Sequence, residues 1–172
     1  MRAIGVIGVL AVVALGGAAV AAAPAARTGC TPGPFTSNGS SGVAFCGPAT
    51  AKAKVGSKTY TFDNGTCTKT KTYLYLNLGN EVLSGPKQKY SYFGLLVGAY
   101  PGATSGTKSS PKDGTYTGGL VTIRYKGKTT FILNGAGDKT VKITLKNGRK
   151  AGTFSGTTFL APHLKVTGSF TC

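Results

Sequence analysis

His163 is the one histidine in a chain of 172 residues, and Asp63, Glu81, Asp113 and Asp138 are its four acids. The usual carriers of acid–base and nucleophilic chemistry are therefore few. A Ser-His-Asp relay needs a histidine oriented by a buried acid. His163 instead opens "HLKVTGSFTC", where Leu164, Val166, Gly168, Phe170 and Cys172 alternate with Lys165, Thr167, Ser169 and Thr171. Such alternation marks a half-buried strand. It puts His163 and Lys165 on the outer face, and Leu164, Val166, Phe170 and Cys172 toward the core. Paired-carboxylate hydrolysis needs two acids at a fixed separation across a substrate. Asp63 in "DNG", Asp113 in "KDG" and Asp138 in "GAGDKT" stand at turn signatures, where Asp serves the backbone. Glu81 is left without a partner evident in the sequence. The glycines of "GAGDKT" and "GTYTGG" do not lie between a strand and a helix, so a phosphate loop is unsupported. Neither a C-x-x-C spacing nor a second histidine is present to make a zinc site. The expectation is a protein that is not an enzyme and takes no cofactor or metal.

The basic residues are the strongest chemical signal. Twenty Lys and Arg against four acids give a formal net charge of +16, and 16 of the twenty are Lys. In "GLVTIRYKGK", "KTVKITLK" and "HLKV", alternation points Arg124, Lys126, Lys142, Lys146 and Lys165 outward, and Arg149 and Lys150 follow the Asn147-Gly148 turn. These seven make a candidate positive face for polyanions: anionic cell-wall polymer, anionic lipid or nucleic acid. The competing reading is that lysines keep exposed sheets soluble and block edge-to-edge pairing. The excess of Lys over Arg favours it, because phosphate and base recognition leans on the Arg fork. If the face is functional, Lys142 and Lys146 should matter more than Lys52 and Lys54, which lie on a distant early segment. Tyr73 and Tyr75 are expected to share a face with Lys69 and Lys71, where they could stack sugars or bases or pack against a second sheet.

The elements that must position these residues are strands. "KTYTFDNGTCTKTKTYLYLNLGN", "KYSYFGLLVGAY", "GLVTIRYKGKTTFILNG" and "KTVKITLK" alternate or run apolar between turn signals such as Asn-Gly, which tolerates positive φ at both positions. About eight strands with turns every 8–12 residues predict an all-β antiparallel sandwich or barrel, with the sandwich preferred. Its domain spans residues 52–172. Residues 26–51, rich in Gly, Pro and Ser, are expected to form an irregular arm, and 101–114 a long connecting loop. N-x-S/T sites occur at Asn38 and Asn64, both in Asn-Gly turns.

Residues 1–25 have the form of a secretory signal peptide: Arg2, an apolar stretch, and Ala23-Pro24-Ala25 as the processing site before Ala26. The stretch would just span a bilayer, but its Ala/Gly richness and processing site argue against a retained anchor. Cleavage leaves about 147 residues, enough for one domain with a real core. All four cysteines, Cys30, Cys46, Cys67 and Cys172, lie beyond it. An even count in an exported chain implies two disulfides, of which three connectivities are open.

At "KVGSKTYTFDNGTCTKTKTYLYLNLGN" and the terminal "LKVTGSFTC" the chain resembles the LpqH-like family of mycobacterial surface lipoproteins. The resemblance covers roughly residues 52–80 and 164–172. It implies a small β-rich surface or secreted domain, non-enzymatic, with a bridge between Cys67 and Cys172. The chain differs in its strong basicity and in lacking a lipidation cysteine, since Arg27-Thr28-Gly29 precedes Cys30. Cys30 with Cys46 is then the expected second bridge, the two sharing one arm. The function expected is a monomeric secreted or cell-surface protein acting through contacts, as a surface antigen or binding protein. The alternative is a cationic module binding polyanions such as an anionic cell-surface polymer, and a small hydrolase is a distant third.

Overall fold

The computed structural model describes residues 29–86, 90–102, 112–127, 129–135 and 138–172. The segment expected to be a signal peptide and most of the loop expected over 101–114 lie outside them. The described residues form thirteen strands and no helix, rather than about eight strands. None therefore crosses a membrane as a helix.

One antiparallel sheet holds β1 (Gly33–Ser37), β2 (Ser40–Phe45), β5 (Gly65–Lys69), β6 (Tyr73–Ser84), β7 (Tyr92–Gly98), β9 (Leu120–Tyr125) and β10 (Thr129–Asn134). Its order is β1-β2-β6-β7-β9-β10, and β5 shares the β2 edge of the long β6. The second sheet runs β4 (Lys58–Phe62), β3 (Thr50–Val55), β13 (Lys165–Thr171), β12 (Ala151–Thr157), β11 (Lys142–Lys146) and β8 (Gly114–Thr117). The two make a sandwich-like fold. The segment read as an irregular arm contains β1 and β2, paired as a hairpin. The misreading has a physical source: β1 is an edge strand with little apolar surface to bury, so it carries no hydrophobic period.

Alternation sets the core. Leu74, Leu76 and Leu78 of β6, Val121 and Ile123 of β9, Ile143 and Leu145 of β11, and Val166 and Phe170 of β13 are all buried. Leu164 is half-buried against the core, while His163 and Lys165 are exposed. β7 is buried on both faces, which explains its continuous apolar run. Where the chain passes from β8 to β9 only Gly118 and Gly119 connect the sheets. Both have positive φ, and a Cβ at Gly119 would stand 2.5 Å from Ile143 Cδ1.

Between the sheets the aromatic rings interdigitate. Phe154, Phe93, Phe62, Tyr125, Tyr60 and Phe131 form a chain of neighbours, each centroid 5.1–6.2 Å from the next, that alternates from one sheet to the other at every step. Rings at such distances and tilts stabilise beyond their buried area.

Cys30 pairs with Cys46, and Cys67 of β5 with Cys172 just past β13. The second bridge ties the seven-stranded sheet to the six-stranded one across 105 residues of sequence. Two disulfides belong to an oxidising compartment.

Candidate functional site

The seven cations expected on one face do not share one. Arg124 and Lys126 belong to β9 and its following turn, in the seven-stranded sheet. Arg124 lies across from Tyr92 and Thr130, its Nε donating to Thr130 Oγ1 at 3.4 Å. Lys126 Nζ stands 5.6 Å from the centre of the Tyr125 ring. Alternation fixes which side of a strand a residue takes, but not which sheet the strand joins, and that is where the expectation failed. Arg149 is committed to the fold. Its Nη1 donates to the Thr70 carbonyl at 2.6 Å, and its backbone N–H and that of Gly148 donate to the Asp113 carboxylate at 2.8 Å each. Lys69, on β5, shows a lowered pKa, first from burial and then from the nearby Arg149 and Lys150 cations. Lys150 is exposed at this end of the sandwich.

Lys142, Lys146 and Lys165 do share the outer face of the six-stranded sheet, and Lys52 and Lys54 join them. β3 pairs directly with β13, so the early segment is not distant. The registers align two rows across all six strands. One runs Thr61, Lys52, Ser169, Thr153, Thr144, Thr115, and the other Thr59, Lys54, Thr167, Ser155, Lys142, Thr117. Hydroxyls occupy β13 and β12 in both rows. They separate Lys54 from Lys142 in the second and Lys52 from Thr144 in the first, while Lys146 stands one row further along β11, opposite Ala151. At three strand steps of about 4.7–4.9 Å, the two lysine flanks stand roughly 14 Å apart at their backbones. Lys165 closes one end, where Lys54, Gly56, Lys165 and Thr167 line a depression of about 230 Å³. No acid and no aromatic lies on either row. The lysines of β3 were legible in "TAKAKV", where they alternate with Ala51, Ala53 and Val55. Their position beside β13 was not.

The outer face of the seven-stranded sheet is different. Tyr73 and Tyr75 project there, but Lys69 does not accompany them. Its register partner is Leu74, which faces the core. The tyrosines meet Tyr100 at centroid distances of 4.9 and 5.4 Å. Beside them Tyr92 is buried, and its hydroxyl donates to Asn77 Oδ1 at 2.7 Å. The ring lies over Gly94, where a Cβ would stand 2.5 Å from the Tyr92 hydroxyl oxygen. Tyr75, Tyr92, Gly94 and Tyr100 border, together with Glu81, a pocket of about 140 Å³. Sequence reasoning missed it, although Glu81 was already the acid without a turn to serve.

Burial raises the pKa of the Tyr92 phenol, and that of Tyr75 as well, with the Glu81 carboxylate adding to both shifts. A phenol held neutral in the fold but free to ionise when unfolded stabilises fully below the unfolded pKa of about 10. That contribution is lost as pH rises above it toward the folded value. Stability should therefore fall above about pH 10, by up to about 1.4 kcal/mol per pH unit for Tyr92. The half-exposed Tyr75, screened by solvent, should contribute less. Denaturant unfolding from pH 9 to 11.5 measures the slope. Tyr92→Phe should flatten it, and an unchanged slope would refute the assignment.

Fold and surface together define a disulfide-bridged, cationic all-β protein of two antiparallel sheets. No protein-family model matches the chain, and no curated protein or solved structure matches it either.

Proposed function

We propose that the chain is an exported, non-enzymatic β-sandwich, secreted or held at the cell surface as the LpqH-like resemblance implies, and that it binds an anionic polymer along the lysine-flanked trough of its six-stranded sheet. The observation that carries this reading is the placement of Lys52 and Lys54 on β3 and of Lys142 and Lys146 on β11, with a floor of mostly Ser and Thr on β13 and β12 between them; Lys54 and Lys142 lie in the same row. A polyanion lying along the strands would find cations on both sides and hydroxyl donors beneath. The rows hold neither Arg forks nor aromatic rings, so they suit a phosphate, sulfate or carboxylate backbone rather than base readout. The cross-sheet bridge and the chain's net positive charge fit a partner met outside the reducing cytoplasm.

Binding to single-stranded DNA, used as a polyanion of known charge spacing, should weaken with salt by about 0.7 log units per log unit of salt for each phosphate neutralised. K142E/K146E and K52E/K54E should each cost tenfold or more in affinity at 100 mM salt. K71E/K126E changes net charge equally but lies off the trough, and should cost far less. Three equal losses would mean that the charge acts diffusely, as a solubility device.

A further inference from the structure

We propose that the pocket on the outer face of the seven-stranded sheet is a second binding site, independent of the trough, and that it takes a small organic cation: an ammonium or methylated ammonium head group. Two of the acids serve turns. Asp113 accepts two backbone N–H groups of the turn between β11 and β12, and Asp138 accepts the backbone N–H of Thr140. Glu81 caps no turn, and among the described residues it forms no salt bridge. It is the one charged residue bordering the pocket. In a chain of formal net charge +16, this carboxylate, without a salt bridge among the described residues, stands beside Tyr75, Tyr92 and Tyr100.

The rings support the same ligand. Tyr100 stands at 63° to Tyr75 and 72° to Tyr73, so the rings form a corner rather than a platform. A flat platform suits stacking of a sugar or base. Ring walls at steep angles beside a carboxylate suit a compact cation, held by ring quadrupoles and by charge. The Tyr92 hydroxyl is already spent on Asn77. Tyr92 lying over Gly94 deepens the site without adding charge. Leu120 and Thr122 complete the wall facing β9. About 140 Å³ is well below the roughly 300–1,000 Å³ of pockets for drug-sized ligands, and admits a head group alone.

The test compares choline with its neutral carbon isostere, 3,3-dimethylbutan-1-ol, at constant ionic strength, with glucose as a third probe. Binding is followed by NMR of the tyrosine ring signals in the full chain. Choline should saturate and shift the signals of Tyr75, Tyr92 and Tyr100, with the isostere and glucose at least tenfold weaker. Glu81→Gln and Tyr100→Leu should each weaken choline binding at least tenfold, while K142E/K146E leaves it unchanged. The site is refuted if the isostere or glucose binds as tightly as choline, if Glu81→Gln has no effect, or if the shifted signals lie elsewhere. The comparison of probes on the unaltered protein holds even if a variant fails to fold. Failure of the trough in polyanion binding would leave this result untouched.

Discussion

Replacing both Cys67 and Cys172 with alanine should lower the unfolding free energy by about 4–5 kcal/mol, the larger of the two losses available from disulfides. The bridge closes 105 residues, and a loop of about 100 residues is worth about 4.7 kcal/mol in lost unfolded-state entropy. Cys30→Ala with Cys46→Ala opens a span of 16 residues, for which the same relation gives about 3 kcal/mol. A typical domain has about 5–15 kcal/mol in total. The long-range variant should therefore be marginal at 37 °C, where the short-range one still folds. Denaturant midpoints of the two double variants and the unaltered protein decide this. Equal losses, or a larger loss at Cys30–Cys46, would show that the long bridge does not restrain the unfolded chain as its span requires.

Phe93→Ala should cost about 3–5 kcal/mol. Phe93 is fully buried, with Phe62 at 5.6 Å and Phe154 at 5.4 Å between ring centroids. Both neighbours belong to the opposite sheet, so truncation removes a link in the interdigitated chain and leaves a cavity that rigid strands cannot close. Phe93→Leu should recover part of the loss, since it keeps apolar volume. Leu83→Ala, at a side chain 67% exposed, should stay within about 0.5 kcal/mol of the unaltered protein. Thermal and denaturant unfolding of the three variants provide the comparison. A Phe93→Ala loss no greater than that of Leu83→Ala would mean that the rings do not hold the sheets together.

The side each residue takes was readable in the sequence wherever one face is buried. The face of Lys165, Val166 and Phe170 follows from alternation, because a one-residue slip would reverse every side chain. Partners separated by half the chain were not readable. Nothing local announces that Lys52 lies opposite Ser169, or that Arg124 leaves the face of Lys142 for the other sheet. Strands without an apolar period, such as Gly33–Ser37 and Gly114–Thr117, were missed because they lie at sheet edges and bury little. The tyrosine pocket was hidden for a related reason. It is assembled on an outer face from β6, β7, β9 and Tyr100, and no one segment carries more than a part of its lining.

The position of β13 inside the six-stranded sheet sets the order in which that sheet can be completed. β3 and β4 make a local hairpin, and β11 and β12 another, but only β13 joins the two pairs. Its contact with β3 brings together Thr50 and Thr171, 121 residues apart, as hydrogen-bonded neighbours. Pairings of that range are slow to form, on the order of milliseconds to seconds in all-β domains. A sheet assembled without β13 would leave the facing edges of β3 and β12 unpaired, a slot that a strand from a neighbouring molecule could enter. The lysines at positions 52 and 54 flank that slot, and charge on an open edge opposes such intrusion. The same side chains that line the trough of the finished sheet would thus guard its incomplete form.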